Sequence, residues 1–191
     1  MDVLSSSYND SKISWHQFKA DGQFTEYVIT TNAYGIRAVY AIDLDNDNDI
    51  DILSASYDDN KISWYENDGN QVFIEHVISN NAYGATDIFA IDINNDGYID
   101  VLSASFNDNK ISWYEGNASM QFTEHIISTN ARGAISVYAI DLDNDNDTDI
   151  LSASYNDNKI AWYENDGNQL FIDHVVSTNA YGATAVIAID I

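Results

Sequence analysis

Three short segments of the sequence concentrate side chains that could bind a metal ion. Each is nine residues long and carries an oxygen-bearing side chain at its first, third, fifth and ninth positions. Oxygen ligands at this spacing can converge on one ion where the chain turns tightly, and a set of carboxylates and amides suits calcium better than magnesium or a transition metal. The predicted side-chain ligands are Asp43, Asp45, Asp47 and Asp51, then Asp92, Asn94, Asp96 and Asp100, and then Asp141, Asp143, Asp145 and Asp149.

The seventh residue of each segment is expected to offer its backbone carbonyl as a further ligand; these residues are Asp49, Tyr98 and Asp147. The tight turn is expected at the sixth residue, because glycine and asparagine tolerate the left-handed conformation there; these residues are Asn48, Gly97 and Asn146. The alternative is an acidic, solvated turn without an ion. Carboxylates this close repel one another strongly without a counter-ion, so we expect about three calcium sites per chain. A fourth set is split between Asp190 and Asp2.

The elements that must position these segments follow from an internal repeat of 49 residues. Four tryptophans and four glycines keep this period: Trp15, Trp64, Trp113 and Trp162, and Gly35, Gly84, Gly133 and Gly182. The repeats run over 2–50, 51–99, 100–148 and 149–191. Each contains four short stretches rich in Val, Ile, Tyr, Phe and Trp, which favour strands. At the first acidic segment, one of these stretches leads into the segment, at 38–43, and three follow it, at 52–57, 61–65 and 73–78.

Four strands in a repeat of this length are typical of a β-propeller blade. The sequence therefore predicts an all-β fold, one propeller unit over residues 1–191, built of four-stranded antiparallel blades. The strand at 184–190 is expected to complete the N-terminal blade. Closure could give a four-bladed ring, or two chains could form an eight-bladed ring as a homodimer, or the chain could be part of a longer repeat array. We favour self-association or a longer array over a closed monomer.

The acidic segments, each followed by an apolar strand, resemble the FG-GAP/VCBS repeats, which form calcium-binding β-propellers such as the head of integrin α subunits. The resemblance extends over the whole chain and implies the same ligand roles for the aspartates and Asn94 named above. The chain has no proline, so the Gly-Ala-Pro element of the family is missing, and Arg132 replaces the tyrosine that precedes the repeat glycine elsewhere. The resemblance is therefore to the bacterial VCBS-like branch.

Composition restricts the partners. With 31 acidic and 7 basic residues the formal charge is −24, which disfavours binding to nucleic acid or to an anionic membrane surface. The absence of cysteine excludes a disulfide scaffold and a zinc–thiolate site. No apolar run predicts membrane insertion, and the residues after Met1 do not resemble a signal peptide.

The nearly identical repeats offer few of the asymmetric groups that catalysis requires, so the sequence predicts a module without enzymatic activity. The expected role is adhesion, recognition or scaffolding outside the cell or at its surface, with a protein or carbohydrate ligand. The alternatives are a lectin-like propeller and, third, a lyase or hydrolase built on a propeller scaffold. The acidic segments are predicted on the face that carries the 68–69 hairpin, opposite a surface rich in Tyr and Asn.

Overall fold

A computed structural model describes residues 1–190. Those residues form fifteen strands and no helix. The bounds are β1 Val3–Ser7, β2 Lys12–Phe18, β3 Phe24–Thr30, β4 Ile36–Ile42, β5 Asp51–Ser56, β6 Lys61–Asn67, β7 Phe73–Ser79, β8 Ala85–Ile91, β9 Asp100–Ser105, β10 Lys110–Glu115, β11 Thr123–Ser128, β12 Ala134–Ile140, β13 Asp149–Ser154, β14 Lys159–Asn165 and β15 Phe171–Ser177.

The strands form four antiparallel sheets, one for each repeat. Their orders are β1-β2-β3, β4-β5-β6-β7, β8-β9-β10-β11 and β12-β13-β14-β15. Neighbouring complete sheets pack through their first strands, so that β4 lies against β8 and β8 against β12, while β1 of the N-terminal sheet lies against β4. This row of radially arranged sheets confirms the predicted propeller-type fold.

The core lies between successive sheets. Trp64 of the second sheet packs with Tyr114 and Phe122 of the third, and Trp113 of the third meets the ring of Phe171 of the fourth edge-on, with 6.4 Å between centroids. Both tryptophans are almost fully buried. The second strand of each complete sheet is buried along its whole length. In the second and third sheets, a neighbouring sheet lies on each side of this strand. Burying one large apolar side chain contributes about 1.5–3 kcal/mol, so these contacts hold the sheets together.

The first sheet differs from the prediction. It contains three strands, and residues 183–190 form no strand. The segment 184–190 thus does not pair with β1 in the single chain described here, and its completion of the N-terminal blade in a closed ring stays a prediction. The 49-residue repeat predicts which strand this segment can pair with, but it does not predict whether the two ends of the row of sheets meet. Among the described residues no helix is long and apolar enough to cross a membrane.

The two ends of the sheets carry different loops, as predicted. On one side the acidic loop meets the 68–69 hairpin, since a Cβ placed on Gly69 would lie 2.7 Å from Asp49 Oδ2. On the other side the link between sheets is held to the turn after β5: Gly84 N donates to Asn60 Oδ1 at 2.8 Å, and Ala82 N donates to Asn60 O at 3.1 Å. The acidic loops are thus separated from the links by the length of a strand.

Candidate metal centre

Each acidic loop joins the first strand of a complete sheet to the second strand. Two residues in every loop have positive φ, at the fourth and sixth positions: Asn46 (64°) and Asn48 (75°), Asn95 (59°) and Gly97 (90°), and Asn144 (65°) and Asn146 (75°). Asparagine and glycine are the residues that enter this region at least cost. The predicted turn at the sixth position is confirmed, and a second left-handed residue precedes it.

This backbone path brings three carboxylates together in the first and third loops. One oxygen from each of Asp43, Asp45 and Asp51 lies within 4.8 Å of the other two, and Asp141, Asp143 and Asp149 repeat the arrangement. In the second loop Asn94 stands where the other loops have Asp45 and Asp143, so an amide oxygen replaces one carboxylate. In the first and third loops, the first, third and ninth predicted ligands therefore converge.

The aspartate at the ninth position is the best-anchored member of the set. Asp51 is fully buried, its Oδ2 accepts a hydrogen bond from Leu44 N at 3.0 Å, and its Oδ1 accepts one from Asn67 N at 2.8 Å. The other two loops keep the same distances, with Asp100 bonded to Ile93 N and Gly116 N, and Asp149 bonded to Leu142 N and Asn165 N. One carboxylate thus ties the start of the loop to the end of the third strand.

The first and fifth positions hold the loop in shape. Asp43 accepts from Asp47 N at 3.1 Å and from Asn48 N at 3.0 Å. Asp47 turns one oxygen to Asp49 N at 2.8 Å, and Asp145 and Asp96 do the same to Asp147 N and Tyr98 N at 2.9 Å. Neither Asp47 nor Asp145 belongs to the converging groups. The side chain of Asp49 lies against the hairpin glycine, so only its carbonyl remains available to the loop.

The electrostatics of these loops are unfavourable without a cation. Burial raises the pKa of Asp51 and of Asp100 to about 6 in each case. Burial also raises the pKa of Asp45, and the negative charge of Asp47 raises it further. Among residues 1–190, none of the ion pairs joins a lysine, arginine or histidine to a carboxylate of the three loops. An oxygen-only donor set with uncompensated charge fits a hard divalent cation such as calcium.

Three glutamates beside the loops were not among the predicted site residues. Glu115 Oε1 accepts from Asn94 Nδ2 at 3.1 Å, and its Oε2 is 2.8 Å from His125 Nε2. The ring of His125 stacks on Trp113 with 4.6 Å between centroids. Glu66 and Glu164 hold His76 and His174 in the same way. The signal was present in the sequence, because a glutamate recurs at this phase in three repeats, beside the recurring histidines.

In the N-terminal sheet, Asp2 is placed like the ninth-position aspartates. Its Oδ2 accepts from Trp15 Nε1 and its Oδ1 from Phe18 N, both at 3.0 Å. Because residues 183–190 do not pair with β1, the split fourth site is not assembled within the described chain.

The comparisons with known proteins agree with this geometry. The model of a family described as "FG-GAP-like repeat" matches four times in tandem, over residues 1–54, 43–103, 92–152 and 141–191. The matches cover the chain, so the chain belongs to the FG-GAP-like repeat family. No curated protein matches it.

One similar solved structure is a "putative 6-phosphogluconolactonase" from Bacteroides fragilis, at 11% identity and a TM-score of 0.55, with 99% of this chain and 70% of that chain covered. This likeness shows the fold alone. It nevertheless corrects the prediction that the chain has no enzymatic activity, since a protein described as an enzyme has the same fold. The near identity of the repeats is therefore no ground for excluding catalysis.

Proposed function

We propose that this FG-GAP-like repeat protein is a calcium-stabilised propeller module, with one calcium ion in each of its three complete acidic loops. The observation that carries the proposal is the convergence of Asp43, Asp45 and Asp51 in a loop fixed by left-handed residues and free of ion pairs with cationic side chains. In each loop the first, third and ninth side chains would hold the ion, together with the backbone carbonyl of the seventh residue. The fifth-position aspartate would support the loop and complete the shell.

Calcium bound in an acidic loop would stabilise the sheet to which the loop belongs. The loop joins the first strand to the second, and its ninth residue is also bonded to the end of the third strand. A divalent cation there would neutralise carboxylates that otherwise repel one another and would hold three strands of one sheet in register. It would also offset part of the −24 charge, which opposes a compact fold.

We further propose that the module acts outside the cell or at its surface, in adhesion, recognition or scaffolding. The face opposite the acidic loops supports a recognition role, because it carries exposed tyrosines: Tyr8 (40%), Tyr34 (56%), Tyr83 (52%), Tyr155 (48%) and Tyr181 (84%). Tyrosine combines apolar area with a hydroxyl and is enriched at binding surfaces. A calcium dissociation constant of about 10⁻⁴–10⁻³ M would match the range of extracellular modules.

The test is a calorimetric titration of chelator-treated protein with calcium and, separately, with magnesium. The proposal predicts binding of about three calcium ions per chain, a higher melting temperature with calcium, and a much weaker response to magnesium. The absence of both heat and a rise in melting temperature with calcium would refute it. A glycan array and a binding screen against surface proteins then address the recognition role.

A further inference from the structure

We propose that the free edge of β1, together with the cavity beside it, is a strand-accepting site that takes residues 183–190 of a second copy of this chain. The inserted segment would become the missing first strand of the N-terminal sheet. This proposal rests on pairing and packing and is independent of calcium binding.

The accepting edge is visible by comparison with the other three sheets. In those sheets the second strand is covered by a first strand: β5 by β4, β9 by β8 and β13 by β12. Strand β1 occupies the position of these second strands, yet it pairs with β2 only. Val3 is 48% exposed, whereas its counterparts Ile52, Val101 and Ile150 are at most 5% exposed. An open strand edge of this kind, with unpaired backbone groups, readily accepts another strand.

A cavity of about 470 Å³ lies next to this edge, between the first and second sheets. Its apolar lining includes Leu4, Trp15, Ile50, Ile52 and Phe73. The residues 49 positions later, Leu53, Trp64, Ile99, Val101 and Phe122, pack around Leu44, which directly follows β4. The space that Leu44 fills between the second and third sheets is therefore vacant between the first and second. The sequence counterpart of Leu44 is Ile191, which lies outside the described residues.

The donor segment has the sequence that this site requires. Residues 183–190 read Ala-Thr-Ala-Val-Ile-Ala-Ile-Asp and align in phase with β4, β8 and β12. In the structure they belong to no strand, and Ile187 and Ile189 are 69% and 72% exposed. The counterparts of Ile189, which are Ile42, Ile91 and Ile140, lie in strands and are partly buried. Pairing with β1 would satisfy the backbone and bury this apolar surface.

The geometry points to a second copy as the source. The sheets pack in a row from the first to the fourth, and the donor segment follows the last strand of the fourth sheet. Accepting edge and donor segment are thus at opposite ends of the same row. Two copies that exchange donor segments satisfy both edges, and the twofold symmetry closes a ring of eight sheets without a free first-strand position.

The register follows from the complete sheets. Val39 lies opposite Ser54, and Tyr40 lies opposite Leu53. Transposed by the repeat, Val186 faces Ser5 and Ile187 faces Leu4. Directly opposed residues have Cβ atoms roughly 4.5–5.5 Å apart, close enough for a disulfide after small adjustment. The chain has no cysteine, so an introduced pair reports this contact alone.

The test mixes the single variants Ser5→Cys and Val186→Cys under mild oxidation. The proposal predicts a disulfide-linked dimer containing one chain of each kind, and light scattering of the unsubstituted chain should give the mass of two copies. As a matched control, Ser6→Cys with Val186→Cys is out of register by one residue and should cross-link at least about tenfold less.

Three results would overturn the proposal. The first is a single-chain mass for the unsubstituted protein without an S5C–V186C dimer. The second is equal cross-linking in the control pair. The third is an S5C/V186C double variant that cross-links within one chain and remains a monomer, since this would show closure of the row by the chain's own segment.

Discussion

Asp51 Oδ1 accepts a hydrogen bond from Asn67 N at 2.8 Å, across sixteen residues of sequence. The same carboxylate accepts from Leu44 N with its other oxygen. A single buried side chain thus joins the acidic loop to the end of the third strand of its sheet. Because the loop depends on this carboxylate whether or not an ion is present, the stability of the sheet and the affinity for calcium are coupled.

Replacement of this carboxylate should destabilise the protein even in chelator. Asp51→Ala leaves two buried N–H groups without acceptors, and hydrogen bonds to charged groups contribute about 1.5–3 kcal/mol each, offset by the relief of burying the charge. We expect a loss of about 2–4 kcal/mol in the free energy of unfolding, measured by urea denaturation. Asp10→Ala, at an exposed position outside the loops, is the control and should change stability by less than about 0.5 kcal/mol. Equal effects of the two variants would contradict the anchoring role.

Neutralising Asp45 should have opposite effects in the two metal states. Its pKa is raised by burial and by the charge of Asp47, so Asp45→Asn removes an unfavourable charge and should raise the melting temperature in chelator. In calcium the variant loses a carboxylate ligand and should gain less from the ion. Asn94 occupies the equivalent position of the second loop, so the substitution is compatible with the loop backbone. Thermal melts of Asp45→Asn and of the unsubstituted protein, with calcium and with chelator, test this prediction. A change in melting temperature of the same sign in both conditions would count against it.

The pH dependence should also differ between the two states. Asp51 and Asp100 have folded-state pKa values of about 6, above the ordinary value of 3.8. A raised pKa means that the folded state binds the proton more tightly, so this contribution to stability is complete below about pH 4 and is lost as the pH rises through about 6. In chelator the protein should therefore be more stable near pH 5 than at pH 7.

Calcium should reverse this trend. Protons compete with the cation for the same carboxylates, so the calcium-induced rise in melting temperature should be greatest at pH 7 and shrink below about pH 6. Melts from pH 4.5 to 7.5, with and without calcium, test both statements. A calcium effect that does not change over this range would be inconsistent with coordination by Asp51 and Asp100.

The backbone at the sixth loop position provides a matched pair of substitutions. Gly97 has φ of 90°, and nothing lies within 4 Å of the place where a Cβ would be. Substitution therefore meets only backbone strain. Gly97→Asn should cost little, because Asn48 and Asn146 hold φ of 75° at the same position, whereas Gly97→Val should cost about 1–2 kcal/mol. Urea denaturation compares them, and equal stability of the two variants would refute the conformational argument.

The repeat explains how much of this structure is predictable. A fixed period with four apolar stretches and Asp-rich links specifies the strands and the place of each acidic loop, because both depend on local sequence. The convergence of Asp43, Asp45 and Asp51 followed from their spacing. The spacing did not predict that one oxygen of Asp47 accepts a hydrogen bond from Asp49 N, because a carboxylate at this position can bond to the loop backbone as well as face an ion.

Features that depend on contacts between repeats were harder to predict from the sequence. The contact of Glu115 with Asn94 joins residues 21 positions apart, and only the pairing of β9 with β10 brings them together. Whether 184–190 pairs with β1 of the same chain depends on how all four sheets pack, and the sequence of one repeat does not specify it. Catalytic potential is a property of a site rather than of repeat similarity, which is why the prediction of no activity was unsound.

A crystal structure of the protein grown with calcium tests most directly whether the acidic loops are calcium sites. Calcium coordination predicts strong density in all three loops, at about 2.3–2.6 Å from side-chain oxygens of the first, third and ninth residues. These residues are Asp43, Asp45 and Asp51, Asp92, Asn94 and Asp100, and Asp141, Asp143 and Asp149. Crystals grown with chelator should lack these peaks. Loops that hold only water in the presence of calcium, with the three carboxylates turned apart, would contradict the claim.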